Sequence, residues 1–194
     1  MTDVRECDPN LPADVQALIG TLQYEEVGEF PVERGYFWTS AASVENANPL
    51  FWDDTVADEV TDGPVAPLML LSAWFRPHHW APGRAVEKLP LQIHFDLKAR
   101  FELPEAIMTE NTTIFHEPVR PGDLITSAQR LVAVTEELDR RLGTGRFWII
   151  DVEYRNQRGE LCGVERWEGF GYRRADSAEK ADSAETSDSA EGSA

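Results

Sequence analysis

The alternation of apolar and polar positions is clearest in the last third of the chain. Residues 107–116, 124–135, 146–154 and 161–172 are each rich in β-branched and aromatic side chains. They are separated by Arg120-Pro121-Gly122-Asp123, Leu142-Gly143-Thr144-Gly145 and Asn156-Gln157-Arg158-Gly159, whose Gly, Pro, Asn and Asp residues favour turns. Four strands in an antiparallel meander are predicted, with Gly143-Thr144-Gly145 as a hairpin turn. Upstream, residues 67–75 form a dense apolar run closed by Arg76-Pro77, with Pro67 where the first turn of a helix tolerates it. Hydrophobic on nearly every side, this helix is expected to be buried. Residues 11–20, with Pro12 near the start and Gly20 at the end, read as a short helix that caps the domain. Residues 30–39, including Val32, Tyr36, Phe37 and Trp38, have strand character, and Ser40 can cap a helix through residues 42–45. Asp53 or Asp54 opens a helical turn ending near Gly63. From His78 to about Pro104 the pattern breaks up, and loop is expected with a strand at residues 91–97. One buried helix against an antiparallel sheet is an α+β layer architecture.

Composition narrows the classes. A chain of 194 residues with 42% apolar content suits a single domain with a sizeable core. The net charge of −17 argues against nucleic acid and anionic membrane surfaces, because phosphate recognition needs clustered Lys and Arg. No window approaches the roughly 20 apolar residues of a membrane span, and the start lacks an apolar signal region, so a cytoplasmic protein is expected. Cys7 and Cys162 have no metal-ligand spacing and read as free thiols. Residues 175–194 contain Asp-Ser-Ala-Glu three times, beginning at Asp176, Asp182 and Asp188, and too little apolar surface to offset ordering entropy. Three parts are therefore expected: an N-terminal extension with a short helix over residues 1–27, the domain over 28–174, and a disordered acidic tail.

The candidate chemistry lies in Ala42-Ser43-Val44-Glu45-Asn46-Ala47-Asn48-Pro49-Leu50-Phe51, followed by Asp62-Gly63-Pro64-Val65-Ala66-Pro67-Leu68-Met69-Leu70-Leu71. With Pro118-Val119-Arg120-Pro121-Gly122-Asp123 and the turn at residues 154–161, in this order and spacing, these segments resemble the MaoC-like (R)-specific enoyl-CoA hydratases. The likeness is closest to the N-terminal-type dehydratase domains of that family and extends from about Gly28 to Arg173. The family's signature reads Asp-x-Asn-Pro-x-His, ahead of a Gly and a central apolar helix. The resemblance implies a single hot-dog domain, an antiparallel sheet wrapped around that helix, and side-by-side pairing of such units with acyl sites near the interface.

Asn48-Pro49 sets the register, which puts Asn46 at the family's acidic position and Phe51 at its histidine. General acid–base catalysis needs a group that exchanges a proton near the working pH, and neither an amide nor a phenyl ring does. The resemblance therefore implies an acyl-CoA thioester-binding subunit that pairs with a catalytic MaoC-like hot-dog chain, in a heteromeric hydratase of lipid or sterol breakdown. A non-enzymatic acyl-thioester module pairing with itself is the alternative. The substrate-binding set implied is Asn46, Asn48, Gly63, Val65, Ala66, Leu70 and Trp74, with backbone N–H groups near Gly63 holding the thioester oxygen.

Each residue also has a plainer reading. Asn46 suits a turn as well as a ligand tunnel; Phe51 and Trp52 suit a core or an interface; Leu70, Leu71, Trp74 and Phe75 suit a core as well as an acyl pocket. His78 and His79 form the alternative acid–base site of a homodimeric hydratase or thioesterase, since imidazole titrates near neutrality. Arg76, Arg84, Arg100 and Arg120 are the candidates for CoA phosphates. No cofactor is expected and no metal-ligand spacing occurs.

Overall fold

The computed structural model describes residues 6–74, 82–83 and 90–174. The acidic tail lies outside the described residues. The chain runs through α1 (Ala13–Leu18), β1 (Leu22–Val27), α2 (Arg34–Ser43), a 3₁₀ turn (Pro49–Phe51), α3 (Asp54–Thr61), a 3₁₀ helix (Leu68–Trp74), α4 (Gln92–Arg100), β2 (Glu105–Phe115), β3 (Thr126–Val134), β4 (Leu138–Arg140), β5 (Gly143–Arg155) and β6 (Leu161–Arg173). Six strands form one antiparallel sheet in the order β1-β3-β5-β6-β2, with β4 paired to the start of β5.

The four expected strands of the last third form, but only β3, β5 and β6 make a meander. β2 crosses to the far edge and pairs with β6, Glu105 facing Tyr172 and Phe115 facing Gly163. Turn chemistry at residues 120–123 is compatible with either neighbour, so local sequence does not decide the partner. The hairpin between β5 and β6 turns at Asn156, whose side-chain oxygen accepts the Arg158 and Glu160 N–H groups at 3.0 and 3.1 Å, with Gly159 left-handed at φ +79°. Gly143 and Gly145 lie within β5 instead of forming the expected turn. A Cβ on Gly145 would sit 1.9 Å from the Gly171 carbonyl oxygen, so glycine is required here by close strand approach.

Because side chains alternate across a strand, Trp148, Ile150, Val152 and Tyr154 of β5 share a face with Gly163, Glu165, Trp167, Gly169 and Gly171 of β6. The helices cover this face. One core cluster joins Val32, Phe37, Leu71, Trp74, Val152 and Tyr154. A second joins Leu11 and Val15 to Ile93, Leu97, Leu131, Trp148 and Ile150. The stretch before residue 28 thus contributes an edge strand, β1, and two core residues. Asp8 ties it down: its N–H donates to the Val134 carbonyl at 2.8 Å, and its carboxylate pairs with Arg146 at 2.7 Å.

Three helical assignments differ from expectation. Residues expected as a strand around Tyr36, Phe37 and Trp38 form α2, with Phe37 and Ala41 buried four residues apart on one helical face. Ser40 lies inside α2 instead of capping a helix, and α2 ends at Ser43. The strand expected at residues 91–97 is α4, whose Ile93, His94 and Leu97 are buried. Within the apolar run, Leu68–Trp74 form a 3₁₀ helix in which Leu71 and Trp74 are buried three residues apart, matching a three-residue turn. Its burial is one-sided: Met69 is 82% exposed and Leu68 53%. α3 agrees with its sequence signals, for Asp53 caps it by accepting the Thr55 N–H at 2.9 Å, and it ends at left-handed Asp62.

α4 is therefore a core element. Leu97→Ala should lower stability by about 2–5 kcal/mol, the cost of a buried Leu truncation, as measured by urea unfolding. A strand or surface loop at this position would lose far less.

Candidate functional site

α2 leads directly into the segment that carries the candidate chemistry. Left-handed Glu45 (φ +53°) reverses the chain, and the Asn46 N–H donates to the Ala41 carbonyl at 2.8 Å. The Asn46 side-chain oxygen then accepts the Asn48 N–H at 3.1 Å, and the Asn48 side-chain oxygen accepts the Leu50 N–H at 3.1 Å, capping the 3₁₀ turn. Both asparagines use the local bonding that suits them to turns.

Two tryptophans close this loop. The Trp52 indole N–H donates to the Asn46 carbonyl and the Trp38 indole N–H to the Phe51 carbonyl, each at 2.8 Å. Their rings lie nearly parallel, with centroids 6.3 Å apart, and the Arg34 guanidinium sits 4.8 Å from the Trp38 ring. Arg34 also pairs with Asp54 at the start of α3. Positions 46 and 51 are thus fixed at both ends by indole hydrogen bonds. At Asn46, but not at Phe51, opens a shallow recess of about 590 Å³, lined by Ala41, Ala42, Glu45, Asn46, Ala47, Pro49, Trp52 and Asp53.

The expected substrate-binding residues divide between two places. Asn46 faces this recess, and Asn48 braces the loop beneath it. Val65, Ala66 and Trp74 are buried, and Leu70 packs against the first core cluster. None of these four borders the recess. The Gly63 N–H donates to the Ala57 carbonyl at 3.2 Å and the Ala66 N–H to the Val119 carbonyl at 2.8 Å, so two expected thioester donors already have acceptors. Arg120 grips the same stretch, donating to the carbonyls of Thr61 (2.7 Å), Asp62 (3.1 Å) and Gly63 (3.1 Å). Arg100 is paired with Asp14 at 2.6 Å. Phe75, Arg76, His78, His79 and Arg84 lie outside the described residues. Cys7 is an exposed free thiol and Cys162 a buried one, the latter pushed up to about 11 by burial.

A second, narrower cavity of about 270 Å³ lies between α4 and the sheet, lined by Ser72, Pro90, Leu91, His94, Phe95, Met108, Val152, Tyr154, Glu165 and Trp167. Its polar groups include His94, 6% exposed, and a Glu165 carboxylate that accepts the Tyr154 hydroxyl at 3.1 Å. The Trp148 indole N–H points at His94 Nδ1, 3.1 Å away. An indole N–H can only donate, so Nδ1 accepts and the neutral ring carries its proton on Nε2. Burial drives the His94 pKa down to about 4, with the nearby Lys98 charge adding to the effect. At neutral pH His94 is consequently an uncharged donor.

Sequence reasoning missed His94. The signal was present, because Ile93, His94 and Leu97 fall on one stripe of a 3.6-residue period. Strand-like residues around it masked that stripe. Glu165 joins it only through the pairing of Val152 with Glu165 across β5 and β6.

Residues 17–162 match the family model described as the FAS1-like dehydratase domain region. A probable enoyl-CoA hydratase alpha subunit from Thermomonospora curvata is 26% identical over 162 residues, covering 82% of this chain and 51% of that protein. The chain thus spans about half the length of the curated relative it matches. Among solved structures, the ChsH1–ChsH2 complex from Mycobacterium tuberculosis aligns with TM-score 0.68 at 18% identity, over 84% of this chain and 93% of the other. The C-terminally truncated HadBC (3R-hydroxyacyl-ACP dehydratase) complex from the same organism aligns with TM-score 0.53 at 20% identity, over 79% and 97%. At these identities the structural likenesses establish the fold.

The depressed His94 pKa makes stability pH-dependent. The unfolded chain takes up a proton near the ordinary value of 6.5, whereas the folded chain resists until about 4. His94's contribution is therefore complete above about pH 6.5 and is lost as pH falls from there towards 4. Denaturant unfolding between pH 4 and 7 should show this slope, and His94→Phe should flatten it.

Proposed function

Because the chain belongs to the family of FAS1-like dehydratase domains, with the MaoC-like hot-dog fold, we propose that it is the non-catalytic, substrate-binding half of a heteromeric enoyl-CoA hydratase. It acts on acyl-CoA thioesters of lipid or sterol degradation, in the cytoplasm, paired with a hot-dog subunit that carries the intact acid–base pair. The observation that carries this reading is the state of positions 46 and 51. Hydration of an enoyl thioester needs one group to activate water and another to protonate the α-carbon. The amide of Asn46 and the ring of Phe51 can do neither, and the Asn46 oxygen is already engaged by the Asn48 N–H.

Two further points favour this reading. The relative from Thermomonospora curvata is described as an alpha subunit, and two of the similar folds come from two-component complexes. His94 does not rescue acid–base chemistry, since its Nδ1 lone pair is taken by Trp148 and its Nε2 already carries a proton. Asn46, Asn48 and the 63–66 backbone are proposed to shape the thioester side of the site, with the reacting groups supplied by the partner.

Hydration of crotonyl-CoA, followed by loss of the enoyl absorbance, tests this. The purified chain alone should be inactive, and co-expression with a MaoC-like chain bearing the Asp and His of the signature should give an active complex. Turnover by the chain alone would overturn the reading. Thioester binding without turnover in every pairing would leave the acyl-binding module as the better description.

A further inference from the structure

The cavity beneath α4 is not used by the reading above and is separate from the recess at Asn46: the two have no lining residue in common. Its walls are mostly apolar, with Leu91, Phe95, Met108, Val152 and Trp167 around the polar groups already described. Apolar walls with a few fixed polar groups are the usual character of a small-molecule site.

The histidine in this wall is held by a dedicated arrangement. Trp148 is 1% exposed and lies where side chains on two β6 glycines would otherwise be. A Cβ on Gly171 would come within 2.1 Å of the Trp148 ring, and one on Gly169 within 2.9 Å of its indole nitrogen. The indole therefore lies flat on β6 and directs its N–H to His94 Nδ1. The imidazole also packs edge-on against the Phe95 ring, with centroids 5.1 Å apart. The tautomer is thereby set, and Nε2–H is the remaining polar group of a neutral ring that lines the cavity. A neutral imidazole donor suits an oxygen that is polar but uncharged, in the way such a ring polarises a carbonyl in triosephosphate isomerase. On the opposite wall, the Glu165 carboxylate disfavours an anionic ligand.

We propose that this cavity is a binding site for a compact, uncharged apolar compound bearing one carbonyl, a ketone or ester-type group, with the carbonyl oxygen accepting from His94 Nε2–H. The site lies within the chain, so it stands whether or not the chain partners a catalytic subunit.

The test uses the full chain and two ligands of the same shape, 4-methylcyclohexanone and methylcyclohexane, followed by ¹⁵N NMR of the His94 imidazole and the Trp148 indole. The ketone should bind saturably and shift both signals. His94→Phe should weaken the ketone at least tenfold and leave the hydrocarbon unchanged. Met108→Trp, which fills the cavity from β2, should exclude both ligands while the His94 and Trp148 ¹⁵N signals of the unliganded variant stay at their hydrogen-bonded positions. Unchanged ketone affinity in His94→Phe, or the same binding and shifts in Met108→Trp, would overturn the proposal, as would no saturable binding to the unaltered chain. Should His94→Phe fail to fold, the Met108→Trp result decides alone.

Discussion

The contact between Trp148 and the glycines of β6 sets much of the interior. An indole needs room that ordinary side chains on the neighbouring strand would deny, and Gly169 and Gly171 provide it. Once seated, the ring presents a buried N–H that must be satisfied, because an unpaired buried donor costs about 1–3 kcal/mol. His94 satisfies it, and in doing so it fastens α4 to the sheet at the point where Ile93 and Leu97 enter the second core cluster. The tautomer of the α4 histidine follows from that one fit.

The other end of the covered face is organised by hydrogen bonds to backbone. Arg120 holds the carbonyls of residues 61–63, while Trp38 and Trp52 hold those of residues 51 and 46. These side chains hold the backbone of the two loops at residues 46–51 and 61–63 in place.

Several large apolar residues stay exposed. Met69 and Leu68 project from the 3₁₀ helix, and Trp52 is exposed beside the recess. A fully buried helix was expected at residues 67–75 because every side of it is apolar. A tighter turn, with Leu71 and Trp74 three residues apart, buries one edge and leaves the other outward.

Much of this was legible in the chain itself. Alternation and turn residues identified β2, β3, β5 and β6, and Asp53 or Asp54 marked the start of α3. These signals are local: a cap, a turn or an alternating pattern acts within a few residues. What the tertiary structure decided is which surfaces meet. Aromatic residues in α2 and α4 have strand-like preferences, but burial of Phe37 and Ala41, and of Ile93 and Leu97, on single helical faces outweighed them. The strand order, with β2 beside β6 and β1 added at the other edge, depends on partners far apart in sequence. So does the cavity at His94, whose walls come from the 3₁₀ helix, α4, β2, β5 and β6 and whose chemistry exists only because Trp148, 54 residues away, reaches its ring.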